Sequence, residues 1–248
     1  MASYIRDLSS EVLKINTLQM IEVDRLMIEE YHIELIQMME NAGRCLAIVA
    51  RERFLGGDPQ GKTVVVLAGS GGNGGGALVA ARRLHNWGSN VEVFLTGEEE
   101  KMTPIPGHQL RILKRMGLPI QSGERLPSDR NYDLIMDGII GYSVKGDPHG
   151  LPGEMIRWTL NRHEAVLSLD TPSGLDLSSG TIHDPTVKAD ATLTLAMPKK
   201  GLFAPAAKEL VGELYLGDIG VPPELYAEAS LNLEAKNIFR HSDILRIF

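Results

Sequence analysis

A chain of 248 residues with 43% hydrophobic and 23% charged residues has enough apolar surface for a sizeable core and reads as one domain spanning 1–248, not as a disordered tract. Its formal net charge of -7 argues against a nucleic-acid partner, because nothing in the balance attracts a phosphate backbone. A single cysteine, Cys45, excludes an intrachain disulfide and any multi-cysteine zinc or iron-sulfur site and fits a reducing, cytoplasmic setting, while the charged opening MASYIRDLSSEVLKI shows neither signal peptide nor membrane span.

Apolar residues at helical spacing (Leu18, Ile21 and Leu26; then Leu35, Met38, Met39, Ala42, Leu46 and Val49) predict helices over 17–30 and 33–54, before any strand. From Thr63 the pattern changes. TVVVLA is a continuous β-branched run, the signature of a strand buried on both faces. ALVAARRLHNWG reads as a helix closing at Gly88, followed by the strand NVEVFL, the helix HQLRILKRMG, the strand DLIMDGII, the helix GEMIRWTLNRH and the strand AVLSLD. ADATLTLA and GELYLG add two strand candidates. This βαβα alternation predicts an α/β fold, a mostly parallel sheet with helices on both faces. GEEEKMTPIPG, QSGERLPSDR and SSGTIHDP read as surface connections.

In such a sheet, ligands bind beyond the carboxyl ends of the strands. Two strands end in an acid, at Asp137 and Asp170, and a third delivers LAGSGGNGGGA, six of whose eleven residues are glycine, to the same edge. Taken literally, Gly69 to Gly74 satisfies G-x-G-x-x-G between a strand and a helix, with Glu98 after the second strand, so a dinucleotide fingerprint and a ligand-free close-packed turn both remain open readings. Asn73 argues against a purely flexible turn, since its amide oxygen can coordinate a ligand or ion. In LSLDTPSGLDLSSG, Pro172 stiffens the turn that presents Asp170 beside Ser173 and Gly174; such an acid suits proton transfer, or simply caps the turn. The loop DGIIGYSVKGD carries Gly141, Gly146 and one cation, Lys145, and can wrap a phosphate or serve as an ordinary connection. In AMPKKGL, Lys199 and Lys200 read as a solvated pair. The histidines show no metal-binding spacing, no transition-metal site is predicted, and Cys45 reads as packed within its helix.

Taken in order, these blocks resemble the YjeF N-terminal domain family, the NAD(P)H-hydrate epimerases. TLQMIEVDR and LIQMMENAGR are similar to the family's opening "eqm…D" and "LMENAG" segments, AGSGGNGGGALVAARRL to its G-x-G-N-N-G-G-D-G-L-V-A-A-R-x-L block, DLIMDGIIGYSVKGD to its "D-x-(I/V)-x-D-A-(L/I)-F-G" block, and LSLDTPSGLDLSSG to "D-(I/L)-P-S-G-L-D-x-x-x-G". The similarity runs from about residue 15 to 220, leaving a C-terminal extension from about 224 to 248. It implies a Rossmann-like three-layer α/β/α domain, an isomerase acting on hydrated NADH and NADPH, a homodimer, and one potassium ion per subunit held by Asn73, Asp137 and Ser173. The substrate residues it implies are Gly72, Asn73, Gly74, Gly75 and Gly76, the stretch Gly141, Tyr142, Ser143, Val144, Lys145, Gly146 and Asp147, and Asp170, which is also the acid-base residue. Gly72 and Gly76 depart from the pattern, standing where the family usually places Asn and Asp. An inactive binding or scaffold module on the same fold is therefore the alternative, with a Rossmann dehydrogenase behind it.

Overall fold

The structure, a computed structural model, describes residues 4–8 and 11–248. Nine strands form one sheet: β1 (Ile5–Asp7), β2 (Thr63–Ala68), β3 (Asn90–Leu95), β4 (Ile120–Ser122), β5 (Leu134–Gly138), β6 (Val166–Leu169), β7 (Ala191–Leu195), β8 (Glu213–Gly217) and β9 (Ile244–Arg246). Their spatial order is β1-β9-β8-β7-β6-β5-β2-β3-β4, and every pair is parallel except the antiparallel β8 and β9. The helices are α1 (Thr17–Glu29), α2 (Leu35–Val49), α3 (Gly72–Asn86), α4 (Pro104–Met116), α5 (Gly150–Leu160), α6 (Lys208–Val211) and α7 (Pro223–Tyr226).

The pleat of β2 shows why the run TVVVLA is apolar throughout. Val64, Val66 and Ala68 face a core shared with α2, α3 and α4, whereas Val65 and Leu67 face the opposite core, built on Met155 and Ile156 of α5. This is the predicted three-layer α/β/α arrangement. Helix α1 lies elsewhere: Met20, Val23, Leu26 and Met27 pack on Met197, Ile219, Leu225 and Tyr226, beyond the carboxyl ends of β7 and β8. A capping box starts it, with Asn16 Oδ1 accepting from Gln19 N at 2.8 Å and Gln19 Oε1 accepting from Asn16 N at 2.9 Å.

Several boundaries differ from the sequence expectations. The first element is a strand, β1, which pairs with β9 and so depends on the far end of the chain. The α-helix expected over 33–54 ends at Val49 and loosens into a π turn at Ala50–Phe54. Helix α4 starts at Pro104, inside an expected connection; proline fits a first turn because its missing N–H would be unbonded there anyway. Part of QSGERLPSDR forms β4. The helix after β2 begins within the glycine run, at Gly72, and Gly88 follows its end with a φ of 93°.

Candidate active site

β2 sits between β5 and β3, so the chain winds outward from it in both directions, and the crevice at this reversal lies beyond the carboxyl ends of β2 and β5. A cavity of about 420 Å³ opens there. The start of α3 supplies Gly71, Gly72 and Asn73, the segment after β5 supplies Ile139 to Ser143, and the end of β6 supplies Leu169 and Asp170; Asp24 of α1, Met38 and Met39 of α2, and Lys199 complete the walls.

Glycine is required where backbone meets backbone. A Cβ on Gly69 would lie 2.0 Å from the Ile139 carbonyl oxygen, and one on Gly74 would lie 1.9 Å from the Gly69 carbonyl oxygen. Helix α3 therefore starts tightly against β2 and β5. It has no side-chain cap, and Gly71, Gly72 and Asn73 at its start line the cavity, a place where the unbonded N–H groups and dipole of a helix start favour an anion or ligand oxygen.

Below the cavity, the two strand-end acids are coupled through one turn. Asp137 is fully buried at the end of β5 and accepts four hydrogen bonds: from Ser173 Oγ at 2.6 Å, Ser173 N at 2.9 Å, Ser168 Oγ at 2.8 Å and Ile139 N at 3.2 Å. Ser168 comes from the register, which sets it beside Asp137 across β5 and β6. Burial raises the Asp137 carboxyl above its ordinary value, against these bonds. Ser173 Oγ also accepts from Ile140 N at 2.8 Å and lies 3.1 Å from the Ile140 carbonyl oxygen. Its single proton serves Asp137 or Ile140, not both. Asn73 packs against the residue that follows Ile140, its Cγ lying 3.2 Å from where a Gly141 Cβ would stand. Its Nδ2 is buried with no partner among the described residues.

Asp170 leaves β6 with a φ of 64°, a left-handed conformation that Asp tolerates better than most residues and that turns its carboxylate to the cavity. Lys199 Nζ donates to Asp170 Oδ1 at 2.6 Å, to the Leu195 carbonyl at 3.0 Å and to Thr194 Oγ1 at 3.3 Å, with both charged side chains buried. The ammonium's three protons are thereby committed. Oδ1 accepts from Lys199 and Thr194, whereas Oδ2 has no hydrogen-bond partner among the described residues and is the atom left for a ligand. The segment before α1 holds Lys199 in place, with Ile15 N donating to the Pro198 carbonyl at 3.0 Å and Lys200 N to the Ile15 carbonyl at 2.9 Å.

The model of the family described as YjeF-related protein N-terminus matches residues 35–201. The chain belongs to this family. It is 43% identical over 214 residues to the NAD(P)H-hydrate epimerase of Dehalogenimonas lykanthroporepellens, covering 85% of this chain and 83% of that one. It is 35% identical to the bifunctional NAD(P)H-hydrate repair enzyme of Moorella thermoacetica, where the match covers 86% of this chain and 42% of the relative. The crystal structure of yeast YNL200c superposes with a TM-score of 0.77 at 25% identity, covering 95% of this chain and 100% of the yeast one.

In this YjeF-family chain the residues singled out from sequence divide into four groups. Gly72, Asn73, Gly141, Tyr142, Ser143 and Asp170 line the cavity. Asp137 and Ser173 lie beneath it, and Gly74, Gly75 and Gly76 are packing residues, the last two lying against Met39 and Leu169. Val144, Lys145, Gly146 and Asp147 lie outside the cavity lining: Val144 is buried, and Asp147 turns away to accept from Asp184 N at 3.1 Å. The family-pattern departures also separate, since a Cβ on Gly72 meets nothing within 4 Å whereas one on Gly76 would stand 2.7 Å from Leu169 Cδ2. Glu98, the acid of the dinucleotide-fingerprint reading, is exposed and paired with Lys101. Cys45 is buried, and burial pushes its thiol up to about 12. Lys199 and Asp24 also line the cavity, and neither is marked out as a site residue by its neighbours in sequence. Their partners are brought in by the fold from remote parts of the chain, and only the family-like segment TLQMIEVDR held a signal for Asp24.

Proposed function

We propose that this YjeF-family chain interconverts the R and S epimers of hydrated NADH and NADPH. The observation that carries the reading is Asp170, with one oxygen anchored by Lys199 and the other facing a cavity at the sheet's topological switch point. Relatives named NAD(P)H-hydrate epimerase support the substrate class. The hydrated ring bears a hydroxyl on the carbon beside the ring nitrogen. Protonation of that hydroxyl releases water as the nitrogen lone pair forms a C=N bond, and water returning to the opposite face restores the ring. Asp170 stands where it can exchange the proton, and its charge stabilises the cationic ring between the two steps. The uncapped start of α3 and Gly141 to Ser143 orient the nucleotide.

The corner beneath the cavity fits a potassium ion. The Asp137 carboxylate, Ser173 Oγ, the Ile140 carbonyl and the Asn73 amide form an all-oxygen donor set suited to a hard, weakly charged cation. A half turn of the Asn73 amide replaces its orphaned Nδ2 with an oxygen, which is a ligand atom. Bound there, the ion supplies fixed positive charge, and those residues hold the Asp170 turn against β5. A homodimer fits the apolar stripe exposed on α1 at Leu18, Ile21 and Ile28, and a cytoplasmic setting fits the lone buried thiol.

The test is exchange between separated epimers of hydrated NADH and NADPH, with and without potassium. Asp170→Asn is expected to lower exchange by about 10²-fold or more while the fold persists. Undiminished turnover would sink the assignment. The pattern departures at Gly72 and Gly76 favour a second reading, a binding module, which predicts nucleotide binding with no exchange.

A further inference from the structure

Asp170 acting alone would have to make both proton transfers, yet the cavity contains a second carboxyl. Asp24 enters from α1, a different wall, and its Oδ2 accepts from Tyr142 Oη at 2.9 Å; Oδ1 has no hydrogen-bond partner among the described residues. The charged and titratable groups facing it are Tyr142 after β5, Asp170 and Lys199 at the ends of β6 and β7, and Tyr226 from α7. Burial raises the Asp24 carboxyl to about 6; the Tyr142 hydrogen bond and the Lys199 charge oppose the rise, and the Asp170 charge adds to it. Two carboxyls in different environments, one ion-paired and one buried with a phenol, form the pattern that separates an acid from a base in one site.

The reaction itself asks for two groups. A proton must be given to the departing hydroxyl on one face of the ring and taken from water arriving on the other. A single carboxyl anchored through Oδ1 to a buried lysine serves one face unless the ring turns over. We infer that Asp24 is a second catalytic acid-base residue, serving the face of the hydrated nicotinamide ring that Asp170 does not reach, an inference that rests on the epimerase reading. For one epimer, the Asp24 O–H protonates the ring hydroxyl, and the C–O electron pair leaves with the water. The ring nitrogen lone pair forms the C=N bond. Incoming water then forms the new C–O bond, one of its protons passes to the Asp170 carboxylate, and the C=N pair returns to nitrogen. The other epimer uses the same path with the roles exchanged. Tyr142 is a positioning residue that fixes the Asp24 carboxyl.

Initial exchange rates from each separated epimer of hydrated NADH, measured from about pH 5 to 8 in potassium, test this for wild type, Asp24→Asn and Tyr142→Phe, with NADH binding followed by fluorescence. In the direction that uses Asp24 as the acid, wild-type exchange is expected to fall as pH rises through about 6. Asp24→Asn should lower exchange by about 10²-fold or more, abolish that limb and keep NADH affinity within about threefold. Tyr142→Phe should move the limb upward, because the lost hydrogen bond is one that lowers the Asp24 carboxyl. An Asp24→Asn protein that exchanges at the wild-type rate with the limb intact overturns the inference. So does a limb that stays in place in Tyr142→Phe, because a merely structural Asp24 would not report the loss of its phenol. Wild-type protein that fails to exchange the epimers at all overturns the epimerase reading itself, whereas active wild type with an indifferent Asp24→Asn overturns only the role of Asp24.

Discussion

Lys199 is only 1% exposed and places its ammonium against Asp170. Two charges removed from water are tolerated together because each satisfies the other and because Thr194 and the Leu195 carbonyl take the remaining protons. Removing one partner leaves an uncompensated buried charge. Lys199→Met should therefore lower unfolding free energy by about 3–5 kcal/mol in urea denaturation, and adding Asp170→Asn to it should recover part of the loss. A double mutant no more stable than Lys199→Met would show that the two charges are not coupled. The expectation of a solvated lysine pair in AMPKKGL holds for Lys200, which is exposed, and fails for Lys199. Nothing local distinguishes them. The deciding partner, Asp170, lies 29 residues away, and the backbone clasp on Ile15 brings in a still more distant segment.

The glycine run becomes interpretable at the scale of α3. Sequence shows a glycine-rich stretch between strand and helix; the structure shows that Gly72 to Gly76 are already helical, and each glycine has its own environment. Gly74 is pressed on the Gly69 carbonyl, backbone on backbone, so neither side can yield. Gly74→Ala should cost about 3 kcal/mol or more, measured by the same denaturation. Gly72 opens to the cavity, so Gly72→Asn should leave stability within about 0.5 kcal/mol of wild type, since surface changes away from packed features stay in that range. Equal losses at both positions would show that the run is governed by glycine content and not by contact. Gly76 is intermediate, because Leu169 occupies the space an acid would need and only its flexible end must move. The strand-end acids, the TPSG turn and Asn73 were legible because apolar strands ending in an acid, followed by Pro or Gly, have a local signature. What was not legible was depth: the sequence cannot show that Gly75 and Gly76 face inward to Met39 and Leu169 while Gly72 faces the cavity, since helical phase depends on where α3 starts.

Across the whole molecule, the central strands carried unmistakable apolar runs, and βα alternation sufficed to place β2, β5 and β6 in one parallel sheet. The outer strands did not. β1, β4 and β9 have three residues each, too few to show a period, and β1 and β9 are strands only because the two ends of the chain pair with each other beside β8. The same non-local closure builds the proposed cation corner, since Asn73 comes from the β2–α3 junction, Asp137 and Ile140 from the end of β5, and Ser173 from the turn after β6. An ion bound there links three segments that unfolding separates, so it must stabilise the fold by mass action whether or not any substrate is present. Potassium at about ten times its dissociation constant should add about 1.4 kcal/mol, which for a chain of this size raises the melting temperature by roughly 3–5 °C over choline chloride at matched ionic strength. Asp137→Ala should abolish that increment and start from a lower melting temperature, because Ser168, Ser173 and the Ile139 amide lose their shared acceptor. A potassium increment that survives in Asp137→Ala would place the ion elsewhere, and equal melting of wild type in the two salts would remove it from the corner altogether.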